Sequence, residues 1–247
     1  MGAKRDLGAP RHLPNLRPGK QPPHPSWLPR QRVGTTPQMI GRYPDYDVLA
    51  STDTWDRATR EVVTKRLHMH GRLRFFTAQE EPTLRAFCDV ATAQDSEPRV
   101  PVAEMVDGKL AAGRLDGYRY ADMPADPDTW RQVLRGLDET ARSRYGRASF
   151  AGCDLQAREA IVGALAEGLL GGGVWDGLNV SRAFSVCMRA ILAAFYSHPW
   201  AWNEIGYGGP AYPLGYMRLG PIAVREPRER RGATAEDPVR AVEELQP

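Results

Sequence analysis

The chain has 247 residues, 42% of them apolar and 9% aromatic, which suits one domain of about 150 to 180 ordered residues plus tails. Its net charge of +3 conceals an asymmetry: residues 1–42 carry eight Lys or Arg against Asp6 alone, which leaves the rest of the chain at −4. The body shows no run of basic residues interleaved with aromatics, which argues against nucleic-acid binding, and no window approaches the ~18 consecutive apolar residues of a membrane span.

Residues 1 to about 40 contain eight prolines and almost no apolar periodicity, so hydrogen-bond ladders cannot form there. This basic arm, residues 1–42, is either a disordered leader or an extended strap along a partner, with Trp27 and Leu28 as its anchors. It contains no apolar signal core and no twin-arginine pair, so the expected location is cytoplasmic unless a signal-bearing partner carries the protein out. Residues 43–220 read as a helical domain, and residues 221–247 as a charged tail with too little apolar surface to offset the entropy of ordering it.

Within the domain the helices follow in order. The first starts at Asp53 or Thr54, with Trp55, Ala58, Val62 and Met69 on one face. A second begins at Thr77, which forms a T-x-x-E capping box with Glu80, and buries Leu84, Phe87, Cys88 and Ala91. A third runs from about Val102 to Ala112, and the segment from Gly113 to Pro127 is loop. A fourth has Asp126 as cap, Pro127 at its first position, Trp130, Val133, Leu134, Leu137 and Ala141 inward, and Gly146 as its end. Asp154 caps a fifth, with Leu155, Ile161, Val162, Leu165 and Leu169 inward and Gly171 to Gly173 as the stop. No stretch alternates with a period of two, so the fold class is all-α, a bundle of five to six helices.

The centre of that bundle is the helix starting at Ser181. Phe184, Cys187, Met188, Ile191, Leu192 and Phe195 mark one side, and Val186, Ala190, Ala193 and Ala194 fill much of the other. Beyond Pro199, several prolines and glycines argue against regular structure, while Trp200, Trp202, Tyr207, Tyr212 and Tyr216 give too much apolar area for a disordered linker. An ordered aromatic loop is expected there, held by its own rings or by something they press against.

The run FYSHPWAWNEIGYGGPAYPLGYMRL resembles the C-terminal signature of the gluconate 2-dehydrogenase subunit 3 family, and the similarity extends from about Arg74 to Leu219. The segment from Arg42 to Leu67 also looks like an upstream block of longer members. The resemblance implies a small accessory subunit that has no cofactor of its own. Its partner would be an FAD-carrying catalytic subunit of the glucose-methanol-choline type that oxidises alcohols or sugars. It transfers no catalytic or cofactor residue.

The residues themselves agree with that lack of chemistry. A dinucleotide site needs a strand before its glycines, covalent haem needs C-x-x-C-H, and neither pattern occurs. His68 and His70 form an H-x-H pair, but two residues apart on a helix they face different ways and have no third ligand at suitable spacing. Cys88, Cys153 and Cys187 are odd in number and widely spaced, so buried thiols are expected rather than a disulfide framework. One constellation invites an acid/base reading: His198 with Asn203 and Glu204. The competing account has His198 capping a helix end while Asn203 and Glu204 satisfy turn backbone. The candidate partner-contact residues are therefore Trp27, His198, Trp200, Trp202, Asn203, Glu204, Tyr207, Tyr212 and Tyr216. The functional expectation is a non-catalytic small subunit that binds and stabilises a flavoprotein. A maturation or export chaperone of that subunit is the alternative, and a stand-alone enzyme using His198 and Glu204 is a third.

Overall fold

The computed structural model describes residues 47–69, 71–94, 99–205 and 207–210. Among them regular structure is helical throughout: α1 Arg57–Arg66, α2 Glu81–Ala91, α3 Val102–Ala111, α4 Asp126–Tyr145, α5 Leu155–Ala166, α6 Val180–Phe195 and α7 Pro199–Ile205, with short 3-10 turns between some of them. The all-α expectation is met. Two compact units result: Met69–Asp95 with Pro101–Phe195, and the described parts of Met1–His68, Ser96–Val100 and Tyr196–Pro247. The basic arm, the charged tail and His70 lie outside the described residues.

The larger unit is built from α2 to α6, and α6 packs against α2, α3, α4 and α5. α4 supplies the longest buried stripe, with Trp130, Val133, Leu134, Leu137 and Ala141 all at most 1% exposed. Each large side chain in that stripe contributes about 1.5–3 kcal/mol of transfer free energy when fully buried. Trp130 lies edge-on to Phe76 at 5.9 Å and to Phe87 at 6.2 Å, which ties α4 to α2 and to the segment before it. Gly146 ends α4 at φ 61°, and the N–H of Arg147 reaches back to the Ala141 carbonyl, a closure that wants a residue without Cβ.

Before α2, the capping box forms: Glu80 Oε2 accepts from the Thr77 N–H at 2.9 Å, and the Glu80 N–H donates to Thr77 Oγ1 at 3.3 Å. Regular helix begins only at Glu81, because Pro82 tolerates only the first turn. The segment that leads there is fastened by Asp107 of α3. This buried carboxylate accepts from the backbone N–H groups of Arg74, Phe75 and Phe76 at 2.8, 2.9 and 3.0 Å. Arg131 of α4 adds to the same knot, donating to Glu80 and to the Phe75 carbonyl while its guanidinium lies 4.5 Å from the Phe75 ring centroid.

Several local expectations need correction. α1 is capped by Asp56, whose Oδ1 accepts from the Thr59 N–H at 2.9 Å, whereas Asp53 and Thr54 belong to a preceding 3-10 turn. The buried valine of α1 is Val63, which packs in a small core with Trp55 and Trp202, and Val62 is 55% exposed on the other side. α4 is entered from Ala125 without a side-chain cap, so Asp126 sits inside the first turn, where its charge suits the helix N-terminus. Asp154 does cap α5, accepting from the Ala157 N–H at 2.8 Å. Leu155 and Leu169, however, are exposed, and the helix stops at Ala166 with Gly168 at φ 72° rather than at the later glycines.

α6 is also less enclosed than its composition suggests. Val180, Ala183, Val186, Cys187, Ile191, Ala194 and Phe195 are buried, Phe184 and Met188 are half-buried, and Leu192, Ser185 and Ser181 face outward. Of its alanines, Ala183 and Ala194 lie on the inner side, whereas Ala193 is exposed beside Leu192. Cys88, Cys153 and Cys187 are buried free thiols, and burial pushes the thiol pKa of each upward.

Candidate functional site

The smaller unit contains the aromatic segment after Pro199, and its first part is helix rather than loop. Pro199 sits at the first position of α7, where its missing N–H is not needed, so a residue expected to exclude helix initiates one. α7 is short because glycines follow it. The Tyr207 N–H closes its end on the Trp202 carbonyl at 2.9 Å.

Around α7 a small core assembles from Val48, Leu49, Trp55, Val63 and Trp202, with Leu67 packed against it. Asn203, fully buried, joins the two sequence-distant halves: its Oδ1 accepts from the Val48 N–H at 2.8 Å across 155 residues of chain. Arg66 Nη1 donates to the Ser197 carbonyl at 2.7 Å, and its guanidinium lies 5.7 Å from the Trp202 ring centroid. Burial lowers the Arg66 pKa, so the site holds this cation at a desolvation cost that the carbonyl and the ring offset. Gly209 at φ 82° completes the enclosure. A Cβ there would lie 2.9 Å from the Trp55 ring and 3.0 Å from Val48, so only glycine lets the backbone come this near.

The expected contact residues therefore divide. Trp202 is buried and donates from Nε1 to the Tyr196 carbonyl at 2.6 Å. His198 is fully buried, its Nδ1 accepts from the Trp200 N–H at 3.2 Å, and its ring meets the Trp200 ring edge-on at 4.9 Å. The contact places the imidazole over the start of α7, where it meets one of the backbone N–H groups that the first turn leaves without an intrahelical partner. Trp200 is half-buried, whereas Tyr207 and Ile205 keep outward surface; the Tyr207 ring stands edge-on to Trp202 at 5.3 Å. Trp27, Tyr212 and Tyr216 lie outside the described residues, as does the side chain of Glu204. Among the described residues no group of three or more His, Cys, Asp or Glu is placed to hold a metal ion.

Sequence reasoning did not single out Arg66 or Val48. Their contacts with the turn span more than a hundred residues, and a period or a cap reports only on neighbours a few positions away.

The fold and the turn define a class first: an all-α protein in which the residues after Pro199 form a buried polar and aromatic knot. Residues 78–209 match the family model for gluconate 2-dehydrogenase subunit 3, more than half of the chain, and the chain belongs to that family. It is accordingly an accessory subunit of a dehydrogenase complex. No curated protein and no solved structure matches the chain. The matched span ends at Gly209, the residue that closes on Trp55 and Val48, although those two residues precede the span. No helix among the described residues is long and apolar enough to cross a membrane.

Proposed function

We propose that this chain is the non-catalytic small subunit of a flavin-dependent sugar or alcohol dehydrogenase, and that it binds and stabilises a glucose-methanol-choline-type subunit carrying FAD. Family membership carries this reading. The construction of the turn supports it. His198, Trp202 and Asn203 are spent on internal contacts that hold α7 in place, while Trp200, Ile205 and Tyr207 keep apolar surface directed outward. Rigid aromatic surface held from behind is what a protein–protein contact uses, because little entropy is lost when it docks. Trp27, Glu204, Tyr212 and Tyr216 extend the same contact in this proposal. The chain itself holds no cofactor in this reading; the flavin belongs to the partner.

Expression of the catalytic subunit with and without this chain tests the proposal. The expected result is lower solubility, flavin content and activity when the chain is omitted. Equal values in the two preparations would overturn it. A mature, active enzyme from which this chain has departed would favour a maturation chaperone instead.

A further inference from the structure

The larger unit carries a second outward surface, separate in sequence from the aromatic turn. Residues 112–122, which follow α3, are exposed one after another, and none of them reaches the core. The segment is nevertheless fastened to α6 by two matching sets of contacts. In one, Asp116 pairs with Arg189 Nε at 2.9 Å and with Lys109, and Arg189 Nη1 donates to the Tyr118 hydroxyl at 2.6 Å beneath a ring whose centroid is 5.0 Å away. In the other, Asp122 pairs with Arg182 and accepts from Asn179 at 3.2 Å, while the Arg182 guanidinium lies 4.7 Å from the Tyr120 centroid. Tyr118 and Tyr120 meet edge to face at 5.7 Å, which completes a ladder of alternating rings and arginines. Arg182 and Arg189 are seven residues apart, two turns on one face of α6, so the helix sets the rung spacing.

Such a ladder does not account for itself through folding energetics. Exposed ion pairs contribute about 0–1 kcal/mol each, and Leu115, Tyr118 and Tyr120 remain 48%, 55% and 40% exposed. What the contacts achieve is to fix the rings in one outward arrangement. Arg114 and Arg119 stand on the same segment and form no ion pair among the described residues. The face thus holds five cations (Lys109, Arg114, Arg119, Arg182 and Arg189) against the carboxylates Asp116 and Asp122 and the nearby Asp126, on a body that is net negative beyond residue 42. Linear sequence hid this, because α6 supplies two of the arginines from 60 or more residues away.

We propose that the Tyr118–Tyr120 ladder, with Arg114 and Arg119 at its rim, is a docking face for an acidic patch on the dehydrogenase's catalytic subunit. This rests on the small-subunit reading above and adds where a second contact lies and what charge it meets. Tyrosine and arginine are the residues that dominate interface energetics, and rim charges govern encounter rate. The positive excess of the face suits an acidic protein surface and opposes pairing with a second copy of itself.

The experiment measures association of the purified flavoprotein subunit with wild-type chain and with R114E/R119E, Y118A and, as a control elsewhere on the same unit, L169S. Far-UV circular dichroism and thermal melting check that each variant is folded. The expected result is an association rate lowered about tenfold or more in R114E/R119E at low salt, converging on wild type as salt rises. Dissociation should be about tenfold or more faster in Y118A, and L169S should match wild type. Wild-type binding matched by folded R114E/R119E and Y118A overturns the docking face and leaves the small-subunit reading intact. Absence of binding by the wild-type chain overturns both. A dimer of the isolated chain that Y118A dissolves, or binding of RNA or of phosphatidylserine vesicles that R114E/R119E abolishes, would also overturn this assignment of the face.

Discussion

Replacing Asp107 tests whether one buried carboxylate holds the entry to α2. Its Oδ1 accepts from Phe75 and Phe76 and its Oδ2 from Arg74, and the Phe76 contact is fully buried. Asp107→Ala leaves the buried Phe76 N–H without its partner at about 1–3 kcal/mol, and adds about 1 kcal/mol for each of the two part-buried donors, so a loss of about 3–5 kcal/mol is expected. Asp107→Asn keeps one carbonyl oxygen able to serve Phe75 and Phe76 and turns an amide toward Arg74, so it should cost only about 1–2 kcal/mol. With a urea m-value of about 2 kcal/mol/M, the midpoint falls by about 1.5–2.5 M for alanine and by less than about 1 M for asparagine. Equal losses in the two variants, or a loss below about 0.5 kcal/mol for alanine, would refute the claim that these three hydrogen bonds fasten the segment.

Other substitutions probe backbone, packing and the thiols. Ala93 follows α2 at φ 53° while the Gln94 N–H closes on the Asp89 carbonyl at 2.9 Å, so Ala93→Gly should relieve left-handed strain and raise stability by about 0.5–1 kcal/mol, read from the urea midpoint. Gly136 of α4 lies under the Trp175 indole, and a Cβ would sit 2.4 Å from that ring; Gly136→Ala should therefore destabilise by about 1–2 kcal/mol despite alanine's better helix propensity, and a stabilised variant would contradict the packing. Cys88 and Cys187, held neutral by burial, should resist a thiol reagent until the protein unfolds. Because their pKa values are raised in the folded state, the unfolded chain releases those protons first, and each thiol withdraws about 1.4 kcal/mol of stability per pH unit above about 8.5. The double variant C88A/C187A should show a flatter decline between about pH 8.5 and 10, and an unchanged slope would refute this assignment.

How much of this was legible in the sequence depends on the range of the interaction concerned. The α4 stripe from Trp130 to Ala141, its glycine end and the Asp154 cap were readable because each is a signal between residues at most a few turns apart. Pro199 misled, since proline bars the interior of a helix yet favours its first position, and composition does not say which applies. The inward face of α1 was missed because Val63 rather than Val62 packs in the core with Trp202, more than a hundred residues away. The knot around Trp202 and the ladder on α6 were out of reach. Asn203 with Val48, and Arg189 with Tyr118, are separated by 155 and 71 residues, and no period encodes such pairs.

The central claim is that this chain serves a dehydrogenase by attachment rather than by chemistry of its own. Native mass of the assembled enzyme, with flavin quantified on the intact particle and on the separated subunits, tests it most directly. The account predicts one particle that contains this chain, with all the flavin on the larger subunit and a colourless small one. Flavin bound to this chain after separation, or an active dehydrogenase particle lacking it, would contradict the account.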